Sequence, residues 1–70
     1  MKGRWVVTHR PPIVLVRGLQ AGDRLRAWGL KPLWSTISRG WVVDDRHLSD
    51  VLACAEHERI WYRVVEEPAS

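Results

Sequence analysis

Four consecutive apolar residues, Ile13-Val14-Leu15-Val16, stand between Pro11-Pro12 on one side and Arg17-Gly18 on the other. The run is strand length rather than helix length, and three of its four residues are β-branched. Odd and even positions are both apolar, so both faces of the strand need cover. The two prolines ahead of it offer no amide donors and act as a strand-breaking corner. In 70 residues there is material for a single domain, and so small a core nets only about 3–5 kcal/mol. The rest of the chain must therefore be the shell of one central strand.

That shell is legible in segments. Trp5–Thr8 reads as a short extra strand inside an N-terminal arm spanning residues 1–11. Ala21, Leu25 and Trp28 are spaced four and three apart and share one face of a helix from about Leu19 to Trp28, stopped by Gly29 and Pro32. Leu33–Thr36 and Arg39–Val43 flank Ile37-Ser38 as a hairpin, in which Ser35 opposes Gly40 and Trp34 opposes Trp41. Asp44-Asp45 opens a second helix by capping free amides at its positive end. There Leu48, Val51, Leu52 and Ala55 form the clearest amphipathic stripe in the chain. Ile60–Val65 is the last strand, and residues 67–70 form a fraying tail. The order strand, helix, strand, strand, helix, strand, behind an extra strand, gives an α+β domain covering residues 1–70. Its expected arrangement is the ferredoxin-like split βαβ, with both helices on one face of an antiparallel sheet; the rival is a sheet of the same elements in another order, with Trp5–Thr8 paired beside Ile13–Val16.

Composition narrows the function. One cysteine excludes an internal disulfide and a cysteine-based zinc cluster. No apolar run reaches the length of a membrane span, and no signal peptide is readable at Met1-Lys2-Gly3-Arg4. There is no phosphate-cradling glycine loop, no paired catalytic carboxylates and no nucleophile elbow, so a non-enzymatic protein without cofactor is expected. His47, Asp50, Cys54 and His57 lie along one flank of the second helix, but their spacing is that of a polar border rather than a closed zinc tetrad. Nine of the eleven basic residues are Arg, and Asn and Phe are absent. That usage points to a GC-rich bacterium or one of its phages, with the protein in the host cytoplasm.

Charge and aromatics point to binding. The net charge is +3, yet residues 1–31 carry seven basic side chains against one acid, and residues 32–70 carry four against seven. A basic first half is suited to phosphates. Arg4, Arg10, Arg17, Arg24, Arg26, Lys31 and Arg39 are the expected phosphate contacts. Five Trp exceed what a two-helix core requires. Trp28 is expected in the core. Trp34 and Trp41 form a cross-strand pair. Arg63 belongs on the outside of the last strand, which takes Trp61 with it. With Ser35, Gly40 and Val42 offering a slim surface for the helices, the open sheet face would present Trp34, Trp41, Trp61, Arg39 and Arg63. Aromatics interleaved with arginines form a platform for unpaired bases, as in RNA-recognition sheets. The alternative use of the same Trp-rich face is to dock a host protein or a second copy, since Ile13–Val16 would otherwise leave apolar surface wet. A homodimer through that face or through an edge strand follows from the same reasoning.

Trp28-Gly29-Leu30-Lys31-Pro32-Leu33-Trp34, followed after six residues by Trp41-Val42-Val43, has the form helix, glycine, Trp, six residues, Trp. The stretch from Leu25 to Val43 resembles a module of plasmid-transfer and primase-associated proteins. At greater distance it resembles the HARP domain of annealing helicases. It is also similar to small proteins of actinobacteria and their phages with an Arg-Gly-Trp strand and an Asp-rich start to the next helix. The resemblance implies a nucleic-acid-processing context, with Trp34 and Trp41 at the matching positions. The resulting expectation is a nucleic-acid-associated accessory protein of a phage or mobile element, binding single-stranded nucleic acid, or failing that a host protein.

Overall fold

The computed structural model describes residues 2–67, with side chains from Arg4 onward. Within them lie β1 (Lys2–Arg10), β2 (Ile13–Arg17), α1 (Ala21–Ala27), β3 (Leu33–Ser35), β4 (Gly40–Asp44), a 3-10 turn (Asp45–His47), α2 (Leu48–His57) and β5 (Ile60–Glu66). The α+β class is as the periodicities indicate. The strands form one five-stranded mixed sheet in the order β3-β4-β2-β1-β5.

The ferredoxin-like arrangement is not the one adopted. In it, the strand Ile13–Arg17 would lie directly beside the C-terminal strand in an all-antiparallel sheet. Here β1 is inserted between them, antiparallel to β2 through the Pro11-Pro12 corner and parallel to β5. The chain directions explain the parallel pair. β4 is antiparallel to β2, and β2 to β1, so β4 and β1 run the same way. A helical crossover through α2 returns β5 parallel to β4, and therefore parallel to β1. The N-terminal segment thus carries a nine-residue interior strand, longer than the short extra strand expected at Trp5–Thr8. Its alternation Trp5, Val7, His9 against Arg4, Val6, Thr8 gives it one apolar face for the helices.

Both helices pack on one face of the sheet. Trp5, Val7, Val14, Val16, Val43 and Ile60 meet Ala21, Leu25, Val51 and Ala55 there, and Leu48 and Leu52 extend the contact. The predicted amphipathic stripe of α2 is the stripe that is buried. α1 is shorter than the spacing suggests, because Gln20 adopts a left-handed conformation and Gly29 closes the helix by donating to the Arg26 carbonyl. Asp44 caps the 3-10 turn by accepting from the Arg46 amide at 3.0 Å. Glu67 extends the sheet by one bond, donating its amide to the His9 carbonyl at 2.9 Å. The remainder of the expected fraying tail, residues 68–70, lies outside the described residues.

The hairpin register has Ser35 opposite Gly40 and Trp34 opposite Trp41 as expected, but Thr36 and Arg39 join Ile37-Ser38 in a four-residue turn rather than extending the strands. Its facing is reversed. Trp41 is in register with Val16, and Val43 with Val14, so the tryptophan side of the hairpin lies under the helices. Two glycines account for this. A Cβ on Gly22 of α1 would sit 2.4 Å from the Trp41 ring, so the helix, not the strand, supplies the gap. A Cβ on Gly40 would meet Arg17 Cγ at 2.6 Å and Leu15 Cδ1 at 2.8 Å, so the slim side of the hairpin accommodates side chains on the helix-free face.

Candidate functional site

The helix-free face is built from alternate residues of four longer strands and short β3. Across β5, β1, β2, β4 and β3, register places Arg63, Val6, Arg17, Gly40 and Ser35 in one row. The next row is Val65, Thr8, Leu15, Val42 and Leu33. Trp61 and Arg4 pair below the first row. Arg10, Ile13 and Asp44 lie above the second.

The middle of this face is not a wet apolar patch. Thr8 and Leu15 are 2% and 3% exposed although no helix covers them. The Arg17 stem and Leu15 lie over Gly40, and half-buried Val6, Ile13 and Val42 surround them. A long side chain lying along the sheet covers apolar surface while its head stays in water. The apolar run Ile13–Val16 is therefore covered by helices on one side and by its own neighbours on the other. Among the described residues, the large hydrophobic side chains that remain exposed on this face are Trp61 and Leu33, at opposite edges.

One corner of the face is both aromatic and basic. Trp61 is 58% exposed. Arg4 is its cross-strand neighbour, and Arg63 lies two residues along the same strand on the same face. A groove of about 400 Å³ runs between them, lined by Arg4, Trp5, Val6, Trp61, Tyr62 and Arg63. Arg17 lies two strands from Arg63, about 10 Å across the sheet. Among the described residues, no ion pair involves Arg4, Arg17 or Arg63. The opposite end of the face is compensated: Arg10 pairs with Glu67 at 2.8 Å, and Asp44 lies 3.9 Å from Arg46.

The other expected contacts are elsewhere. Arg24 pairs with Glu58, which also accepts from Trp28 Nε1, so Arg24 ties α1 to the end of α2. Arg26 stacks over the Trp41 ring at 4.8 Å and approaches Asp23 at 3.5 Å. Trp41 is half-buried beneath α1, and the Trp34 ring meets its edge at 5.2 Å. Trp34 is 52% exposed, but at the β3 edge on the helix side. Lys31 is in the loop after α1, and Arg39 is in the hairpin turn with φ 55°. Trp5, left unassigned by the sequence, is buried against Trp28 at 5.6 Å and donates to the Leu19 carbonyl. The expected single platform of Trp34, Trp41 and Trp61 is thus divided between two faces. Val6 is a groove residue that the reading missed, and the alternation Arg4, Val6, Thr8 was the available signal.

Three further titratable clusters are held by contacts of their own. His9, on the helix face, bonds to Glu66 through Nδ1 at 3.0 Å and to Asp45 through Nε2 at 3.4 Å. The bond to Asp45 foremost, opposed in part by burial and reinforced by the bond to Glu66 and both charges, holds its pKa above the ordinary 6.5. Hydrogen bonding to Glu56, with burial, raises Tyr62 above its ordinary 10.0. His47 lies 3.4 Å from Asp50. Among the described residues, no three His, Cys, Asp or Glu side chains converge on a metal-sized site, and no helix is long and apolar enough to cross a membrane. No protein-family model matches the chain, and no curated protein or solved structure matches it.

Proposed function

We propose that the protein binds single-stranded nucleic acid at the Trp61 corner of its helix-free sheet face, without catalysis. The observation that carries this is an exposed Trp61 flanked by Arg4 and Arg63, with no carboxylate among the described residues paired to either arginine. An unpaired base stacks on the Trp61 ring, a contact worth about 1–3 kcal/mol per base. Arg4, Arg63 and Arg17 hold the flanking phosphates. Arg24 and Arg26 are committed to Glu58 and to Trp41, so the binding charge comes from the sheet rather than from α1. The resemblance of Leu25–Val43 to modules of plasmid-transfer proteins supports the same context, a nucleic-acid accessory role in the cytoplasm of a GC-rich bacterium carrying a phage or mobile element.

The test is a titration of the full chain with short single-stranded DNA and RNA at about 50 mM salt. Binding quenches Trp fluorescence and is released by a few hundred millimolar salt, because phosphate contacts release counterions. Trp61→Ala weakens binding by roughly 5- to 150-fold, the equivalent of one stacked base. Absence of binding at low salt contradicts the proposal.

A second reading rests on the opposite edge. Leu33, Trp34 and Ile37 are all exposed around the β3–β4 hairpin, Ile37 at 95%. That edge suits docking to a host protein. Such binding would resist salt and survive Trp61→Ala, whereas Trp34→Ala would remove it.

A further inference from the structure

The two edges of the sheet differ in a way that assigns one of them a partner. β3 is three residues long and follows Pro32, a combination that leaves little backbone for another strand to pair with. β5 has seven residues, no proline and five apolar side chains, Ile60, Trp61, Tyr62, Val64 and Val65. Among the described residues it has β1 on one side and no strand on the other. Its exposed side chains include Trp61 and Val64, and an open groove of about 290 Å³ follows its start along Arg59–Tyr62. A long edge of this kind, free of proline and with Arg63 as its one charged side chain before Glu66, is a template for strand addition.

We propose that β5 pairs antiparallel with β5 of a second copy, about a two-fold axis through Tyr62, to give one continuous ten-stranded sheet. A two-fold axis normal to the sheet keeps both helix layers on the same side, and each register that does so centres on a single residue. Centring on Arg63 sets that arginine against itself, and like charges directly opposite are unfavourable. Centring on Val64 sets Tyr62 and Trp61 against Glu66 and Glu67, which already serve His9 and Arg10. Centring on Tyr62 sets Trp61 of each copy against Arg63 of the other, a reciprocal cation–π pair. It also sets Ile60 against Val64 twice, which covers the exposed part of Val64. The pairing joins the two Trp61 corners on one face and draws Arg63 of one copy to Trp61 of the other, so a base would share the Trp61 ring with that guanidinium; its tests read mass, exchange and cross-linking without nucleic acid and do not rest on the proposed binding.

Sedimentation equilibrium of the full chain is expected to show twice the chain mass at about 100 µM, shifting to monomer on dilution. Val64→Lys, with its fold checked by near-ultraviolet circular dichroism, is expected to be monomeric at the same concentration. Hydrogen exchange on the unsubstituted protein gives a readout that needs no variant. Paired β5 protects all amides of residues 60–64, whereas a free edge leaves every second one fast. For register, Trp61→Cys mixed with Arg63→Cys in a Cys54→Ala background should cross-link faster than either alone. A monomer with alternating fast amides in β5, or a Val64→Lys protein that remains dimeric, overturns the proposal. Faster cross-linking of Arg63→Cys alone overturns the register.

Discussion

Trp41 and Trp61 lie on opposite faces of the same sheet, each with an arginine beside it. Arg26 covers the Trp41 ring at 4.8 Å, and Gly22 lets α1 close over it. Trp61 has Arg4 and Arg63 for neighbours and no helix above it. The pairing of tryptophan with arginine is therefore not itself a mark of function. On the covered face it is packing between a helix and a strand. On the open face, among the described residues, the same chemistry leaves a ring and two guanidinium groups without an ion-pair partner, the groups proposed to bind nucleic acid.

Substitutions at matched positions test that contrast. The largest expected effect is Trp5→Ala on the covered face, where a ring only 2% exposed is removed. A loss of about 3–5 kcal/mol equals the whole stability expected of so small a core, so the variant should be unfolded by circular dichroism at 25 °C. Trp61→Ala should stay within about 0.5 kcal/mol of the parent in urea denaturation. Equal losses at the two sites would remove the distinction between the faces.

Gly22→Ala is next. Its new Cβ would lie 2.4 Å from the Trp41 ring, so Trp41 or α1 must move. Overpacking of this kind costs about 1–3 kcal/mol, against roughly 1 kcal/mol gained in helix propensity. A net loss with a shifted Trp41 indole resonance is expected, and a net gain would show that the helix is not close to the ring. Glu58→Gln should cost about 1–2 kcal/mol by weakening the carboxylate's joint hold on Arg24 and Trp28. Chemical denaturation reads it directly.

The smallest effect is a pH dependence at His9. Its folded pKa lies above 6.5, so it binds its proton more tightly folded than unfolded. The stability it contributes is fully present below pH 6.5 and is lost as the pH rises through the raised value. The melting temperature should fall across that window, and His9→Gln should flatten the fall.

Much of this fold was legible because its signals are local. The helix stripe Leu48–Ala55 and the central strand Ile13–Val16 each carry their own period. The Trp34–Trp41 register was legible although the turn is longer than expected, because a four-residue turn at Thr36–Arg39 centred on Ile37-Ser38 keeps the same residues opposite. What failed to read through were relations between distant segments. The insertion of β1 between β2 and β5 depends on a parallel partner more than 50 residues away, and nothing within Lys2–Arg10 names it. The hairpin faces opposite to expectation because the gap that lets a helix approach lies in Gly22 of α1 and not in Ser35 and Gly40 of the hairpin. Within the candidate site, the pairing of Trp61 with Arg63 was legible from strand alternation. Arg4 was legible as a charge, but its place beside Trp61 required the topology.

The most direct test of the account follows the five indole N–H resonances in a heteronuclear NMR spectrum during titration with single-stranded oligonucleotide at about 50 mM salt, the low-salt regime for phosphate contacts. The account predicts that the Trp61 resonance moves most, while the buried Trp5 indole, bonded to the Leu19 carbonyl, and that of Trp28, bonded to Glu58, stay in place. Movement of Trp34 and Trp41 with Trp61 unchanged would contradict it and put the interface on the hairpin edge.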